Sequence, residues 1–230
     1  MATLKEKIGY GLGDMSSSMF WKIFSYYLPI FYSDVFGLSL GATAVLMLVT
    51  RIWDTVSDPV MGIIADRTDT RWGKYRPWLL WMAVPFAVAG CLLFITPKCG
   101  GTGRLVWAYF TYMLMMTVYT AINVPYGSML GVVTDNSDEK TVFSSYRMFF
   151  AYAGSFVAVF AWEPLVKFFT DLCGGDTPLI ALQHGWQYAM VVIAAATLIL
   201  FLLCFWMTRE HVRPSKTGSV WEDLKALASN

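Results

Sequence analysis

Six ionisable side chains lie where the chain is otherwise apolar: Asp14, Lys22, Arg51, Asp54, Asp58 and Arg147, with Glu163 near the end of its apolar stretch. An ionisable group at bilayer depth costs about 2.5–3.5 kcal/mol on insertion scales, so each needs a partner or a task. Arg51, Asp54 and Asp58 are spaced i, i+3, i+7, which puts them on one helix face. Asp14, Ser18 and Lys22, spaced i, i+4, i+8, share a face in the same way, and Thr120, Asn123 and Gly127, with Tyr119 beside them, make a third polar stripe. Two carboxylates one turn apart offer oxygen ligands to a hard cation such as Na⁺, and Ser57 and Thr120 add hydroxyls. The same pair can instead share a proton, because two close carboxylates disfavour double ionisation. Spacing leaves Na⁺ and H⁺ both open. The competing reading is internal neutralisation: Arg51 or Arg147 against Asp54 or Asp58, and Lys22 against Asp14 or snorkelling to the interface. Aromatic rings near the stripes (Trp53, Tyr26, Tyr27, Tyr119, Tyr126) suit stacking on a sugar face, whereas Trp72, Trp78, Trp81, Trp107, Trp186 and Trp206 read as interfacial anchors.

These stripes need apolar helices to carry them, and the composition supplies those. The 230 residues are 57% hydrophobic and 14% charged, with a mean hydropathy of +0.51, whereas soluble domains carry about 25% charged residues. Seventeen basic against 16 acidic residues leave a net charge of +1, which argues against nucleic acid as a partner. The four cysteines show no metal-ligand spacing. Six stretches reach spanning length: Ile8–Phe36, Leu40–Ala65, Trp78–Thr96, Leu105–Val133, Val142–Phe169 and Trp186–Met207. The runs lack strict alternation and are too long for barrel strands, so the expectation is an all-α transmembrane protein with the bilayer as its surroundings. The first run has no cleavage pattern of a removed leader. Basic residues cluster in alternate loops (Lys5, Lys7, Arg67, Arg71, Lys74, Arg76, Lys140, Arg209, Arg213, Lys216, Lys225), which places both ends of the chain in the cytoplasm. Residues 1–208 are expected to form the bundle, and residues 209–230 a cytoplasmic linker with a short amphipathic helix over Ser219–Asn230. Gly9, Gly11, Gly13, Gly127, Ser128 and Gly131 read as close-packing or hinge positions.

Longer strings are more specific. They are Gly9-Tyr10-Gly11-Leu12-Gly13-Asp14, Phe31–Leu38, Arg51-Ile52-Trp53-Asp54, Ser57-Asp58-Pro59-Val60-Met61-Gly62, Asp66-Arg67-Thr68, Arg71–Pro77, Asn123–Ser128, and Arg147 with Phe149-Phe150. In this order the chain resembles the glycoside–pentoside–hexuronide:cation symporters, the melibiose-permease-like branch of the major facilitator superfamily, over essentially its whole length. The resemblance implies the six-helix N-terminal bundle of a twelve-helix major facilitator fold in a bacterial inner membrane, with alternating access and no cofactor beyond the coupling ion. It implies a cation site at Asp54 and Asp58 assisted by Thr120, and a sugar site that includes Arg147. The chain departs from the family pattern where acids, a lysine and an aromatic are expected: Ser18, Ser17, Asn123 and Gly127 stand there. Ser18 and Asn123 keep hydrogen-bonding capacity without carboxylate repulsion. The expected substrate is therefore a pentoside or hexuronide rather than an α-galactoside, with Lys22 or Arg147 as partner for a uronate.

The stretch Asp66, Arg67, Arg71 and Lys74 resembles the superfamily's cytoplasmic signature loop, which implies a role in conformational cycling; a plain topology determinant is the alternative. An enzyme is disfavoured because His184 and His211 lie apart, in a loop and a tail, with no nucleophile–base set. A channel is disfavoured because mixed charges on several helices do not make a ring of like charge; a bundle whose charges only pair with one another remains the alternative. Six spans with both ends on one side point to half of a fold, with a second six-helix half expected as partner.

Overall fold

The computed structural model describes residues 2–212. Among them the helices are α1 (Leu4–Tyr26), α2 (Leu28–Ile30), a π-helical turn (Phe31–Val35), α3 (Leu40–Asp66), α4 (Arg76–Leu93), α5 (Gly101–Val133), α6 (Ser137–Cys173) and α7 (Pro178–Met207). The expected helix at Ser219–Asn230, with Arg213, Lys216 and Lys225, lies outside the described residues.

The first expected span is not one helix. Pro29 has no N–H to continue the ladder, and the chain steps through α2 into a π turn closed by Phe36 N–H donating to the Phe31 carbonyl at 2.7 Å. Three other helices outrun their apolar stretches. Asn136 caps α6 by accepting from the Asp138 and Glu139 N–H groups at 2.8 and 3.2 Å. Thr177 caps α7 ahead of Pro178, and α5 begins at Gly101. Hydropathy marks the apolar band; caps mark the helix ends.

Among the described residues five helices, α3 to α7, are long and apolar enough to cross a membrane. The first expected span is absent from that set because Gly9, Gly11, Gly13, Asp14, three serines and Lys22 dilute the hydropathy of α1. Yet α1 is central, packing along α6 and α7, while α4 joins α5 to α7 and α3 leans on α5. Phe20 of α1 meets Phe86 of α4 at 4.4 Å between ring centroids, and Phe86 meets Phe201 of α7 at 5.2 Å. Lipid tails are as apolar as these rings, so close fit rather than water exclusion favours the packing. Gly11 makes that fit possible on α1, since a Cβ there would enter the Phe150 ring. Gly9 and Gly13 likewise abut Met207 and Tyr126. Gly127 and Gly131 do not fit the packing expectation: both face open space. The outward faces of α3 and α6 are the least covered, each with 17% of its apolar window buried.

Candidate functional site

Helix α3 begins at a Ser39 cap and presents Arg51, Asp54 and Asp58 towards α5. There Thr120 Oγ1 donates to Asp58 Oδ1 at 2.8 Å, a bond joining the two helices. Arg51 Nη1 lies 3.8 Å from Asp54 Oδ2, within the helix. The other Asp54 oxygen, Oδ1, is buried without a hydrogen-bond partner. A buried carboxylate oxygen left unsatisfied is costly unless something else coordinates it. An oxygen in that state can serve as a ligand for a hard cation, and Asp58 and Thr120 stand on the same cavity wall.

The cavity measures about 390 Å³ and is bounded by Asp54, Asp58, Tyr119, Thr120, Asn123 and Trp21 among others. Asn123 donates from Nδ2 to the Tyr119 carbonyl at 3.1 Å, which turns its amide oxygen free. Trp21 of α1 tilts against Tyr119 at 5.6 Å and carries the Arg51 guanidinium over its face at 4.8 Å. A second hollow of about 430 Å³ shares Trp21, Arg51 and Met116, so those residues form the partition between the two.

The other expected residues are placed differently. Arg147 of α6 does not pair with Asp54 or Asp58; its Nε donates to Asp14 Oδ2 of α1 at 2.9 Å. Asp14 is thereby taken, and Lys22 instead holds its ammonium 5.3 Å from the Tyr26 ring. Arg147 also lies over Tyr126, 5.4 Å from its centroid. Tyr126 is fixed in turn, stacked on Tyr10 at 4.8 Å with its hydroxyl donating to the Tyr10 carbonyl. Ser57 turns its hydroxyl back to the Asp54 carbonyl at 3.3 Å and, like Ser18 and Lys22, is not on the cavity wall.

At the opposite end of α3 the signature stretch is tightly bound. Asp66 accepts from the Tyr75 hydroxyl at 2.6 Å and from Lys74 Nζ at 3.2 Å. Burial, then the bond to the Asp66 carboxylate, raises the Tyr75 pKa. Arg71 stacks on Trp72 at 4.5 Å, and Arg67 caps the end of α3. Sequence reasoning missed the anchor of this stretch, Glu210. Its carboxylate accepts from the backbone N–H groups of Lys74, Tyr75 and Arg76 at 2.7, 2.7 and 2.8 Å, at the N-terminus of α4. Gly73, at φ +117°, leaves the room that Glu210 occupies. The Pro77 that opens α4 was the available signal: a helix start with free N–H groups attracts an acid. His211 next to it contacts Glu6 at 2.6 Å, and the His211 and Val212 N–H groups both donate to the Val132 carbonyl at 2.9 Å. Trp21 also went unmarked; Asp14 stood on its stripe, but with Lys22 as the expected partner, where the structure gives Arg147 of α6.

Residues 9–230 match the family described as MFS/sugar transport protein. The chain is 42% identical to the putative glycoside/cation symporter YagG of Escherichia coli, over 99% of this chain and 48% of that protein. It is 36% identical to the isoprimeverose transporter of Lactiplantibacillus pentosus, over 100% of this chain and 47% of the relative. The glucuronide carrier protein homolog of Escherichia coli is 30% identical over 89% of this chain and 43% of its own length. The chain thus spans about half the length of the curated relatives it matches. With an all-helical bundle and charged stripes on facing helices, the chain belongs to the MFS/sugar transport protein family.

Proposed function

We propose that this bundle carries the cation site and much of the sugar site of a cation-coupled sugar symporter. The observation that supports it best is the cavity between α3 and α5, where the unsatisfied Asp54 oxygen, Asp58 and Thr120 adjoin Tyr119 and Asn123. Asp54 and Asp58 hold Na⁺ or H⁺. Thr120 links that charge to α5, and one turn on Asn123 meets the sugar beside Gly127, where the helix surface is open. Arg147 completes the sugar site from α6, and Ser18 and Lys22 belong to its α1 side. Asp66, Arg67, Arg71 and Lys74 act in the conformational cycle. A second six-helix bundle closes the cavity, and rocking of one against the other exposes the site alternately. In this arrangement both chain ends face the cytoplasm in a bacterial inner membrane, and no cofactor beyond the ion is needed.

Cation binding draws α3 and α5 into one arrangement and so prepares Asn123 for sugar; by linkage, sugar tightens the cation by the same factor. The substrate is a pentoside or hexuronide in preference to an α-galactoside, since Ser18 and Asn123 stand where acids would grip a galactoside. Relatives named for isoprimeverose and for glucuronide are consistent with either class. Uptake of labelled xyloside, glucuronide and galactoside by the intact transporter, with and without Na⁺ at two pH values, tests the reading. Saturable, cation-dependent uptake of a non-galactoside is expected; uptake of galactoside alone would overturn the substrate class, and uptake indifferent to both ions would overturn the coupling.

A further inference from the structure

We propose that Asp14 is a specificity-determining residue: by neutralising and orienting Arg147, it makes this sugar subsite select uncharged glycosides and reject a carboxylate. The inference rests on the sugar-site reading above and narrows it. Arg147 meets Asp14 through Nε at 2.9 Å, which leaves the two Nη nitrogens for another acceptor. The guanidinium is held from its other side by Tyr126, itself locked to Tyr10. A one-point bond on a rigid support fixes the direction of the remaining N–H groups. The charge of Arg147, however, is already matched by a carboxylate whose side chain is only 17% exposed. A uronate approaching those nitrogens gains the guanidinium and meets Asp14 behind it, so the net attraction is small. A hydroxyl accepts the same N–H bonds without that repulsion.

The charge inventory of the whole site agrees. Asp14 pairs with Arg147, Asp54 pairs with Arg51, and Asp58 stands on the α3–α5 cavity wall, so these helices carry three negative charges against two positive. One bound monovalent cation brings the set to neutrality, and an uncharged sugar keeps it there. A carboxylate ligand would return the set to a net negative charge, and a charge without a partner is costly wherever water is excluded. The Lys22 ammonium lies 5.3 Å from the Tyr26 ring and pairs with neither Asp14 nor Arg147.

Competition against the uptake of a labelled sugar by the intact transporter tests this, using methyl xyloside, methyl glucoside, glucuronide and the glucuronide methyl ester. At least one uncharged competitor is expected to act about tenfold more tightly than glucuronide. Asp14→Asn is expected to narrow that ratio or reverse it, because the freed guanidinium then attracts the carboxylate. Glucuronide matching or exceeding every uncharged competitor in the unaltered protein would overturn the proposal. So would a folded Asp14→Asn variant with an unchanged ratio. If that variant does not fold, the comparison of glucuronide with its methyl ester in the unaltered protein decides alone. Failure of every sugar to be transported or to compete would instead count against the symporter reading itself.

Discussion

At the scale of single residues, the bond between Thr120 and Asp58 and the lone oxygen of Asp54 make distinct predictions. Thr120→Val removes a donor worth about 1 kcal/mol while keeping shape, so apparent cation affinity in sugar uptake should fall about fivefold. Asp58→Cys removes a carboxylate and should abolish cation-dependent accumulation; accumulation that stays fully cation-dependent would contradict the assignment. Glu6 supplies a pH prediction. Burial works against its charge, but the Thr3 hydrogen bonds and His211 prevail and lower its pKa below the ordinary 4.5. A depressed carboxylate pKa adds stability above the unfolded value, and that stability is lost as pH falls through the folded one. Docking of residues 208–212 on α1 should therefore loosen as pH falls past the ordinary 4.5 and through the lowered pKa of Glu6. Hydrogen exchange at His211 and Val212, corrected for intrinsic rate, should show faster opening there, and Glu6→Gln should open the segment already at pH 6.

At the scale of elements, two glycines on different helices separate packing from function. Gly11→Leu drives a side chain into Phe150 and should cost about 1–3 kcal/mol through the α1–α6 contact, seen as a lower Tm in detergent. Gly127→Ala meets open space on α5, and alanine favours a helix by up to about 1 kcal/mol, so Tm should hold or rise. Sugar uptake should nevertheless fall if that open surface receives substrate. The junction of α4 and α7 is a third case. Glu210→Ala deprives three N–H groups of their acceptor and should lower stability by about 2–3 kcal/mol, while Glu210→Gln, which keeps one oxygen acceptor, should lose less. The signature stretch thus owes its shape to an acid 136 residues away from Lys74, as well as to its own Asp66.

At the scale of the whole molecule, the bundle buries α1 between α6 and α7 and leaves α3 and α6 thinly covered. The helical class, the apolar bands, the stripe of Arg51, Asp54 and Asp58, and the family are legible along the chain, because they depend on local periodicity and ordered strings of residues. Thr120 could be named as a partner of Asp58 because the family pattern supplied the pairing. Helix packing sets the rest: Arg147 goes to Asp14 rather than to the α3 carboxylates, Gly127 is open while Gly11 is packed, and Glu210 caps α4. Each of those depends on which helix faces which, and on distances between residues about 130 to 140 positions apart that no local spacing encodes. Charge pairing is the clearest instance: several acid–base matches satisfy the same composition, and the crossing of α1 against α6 selects one by bringing Nε of Arg147 to 2.9 Å from Asp14.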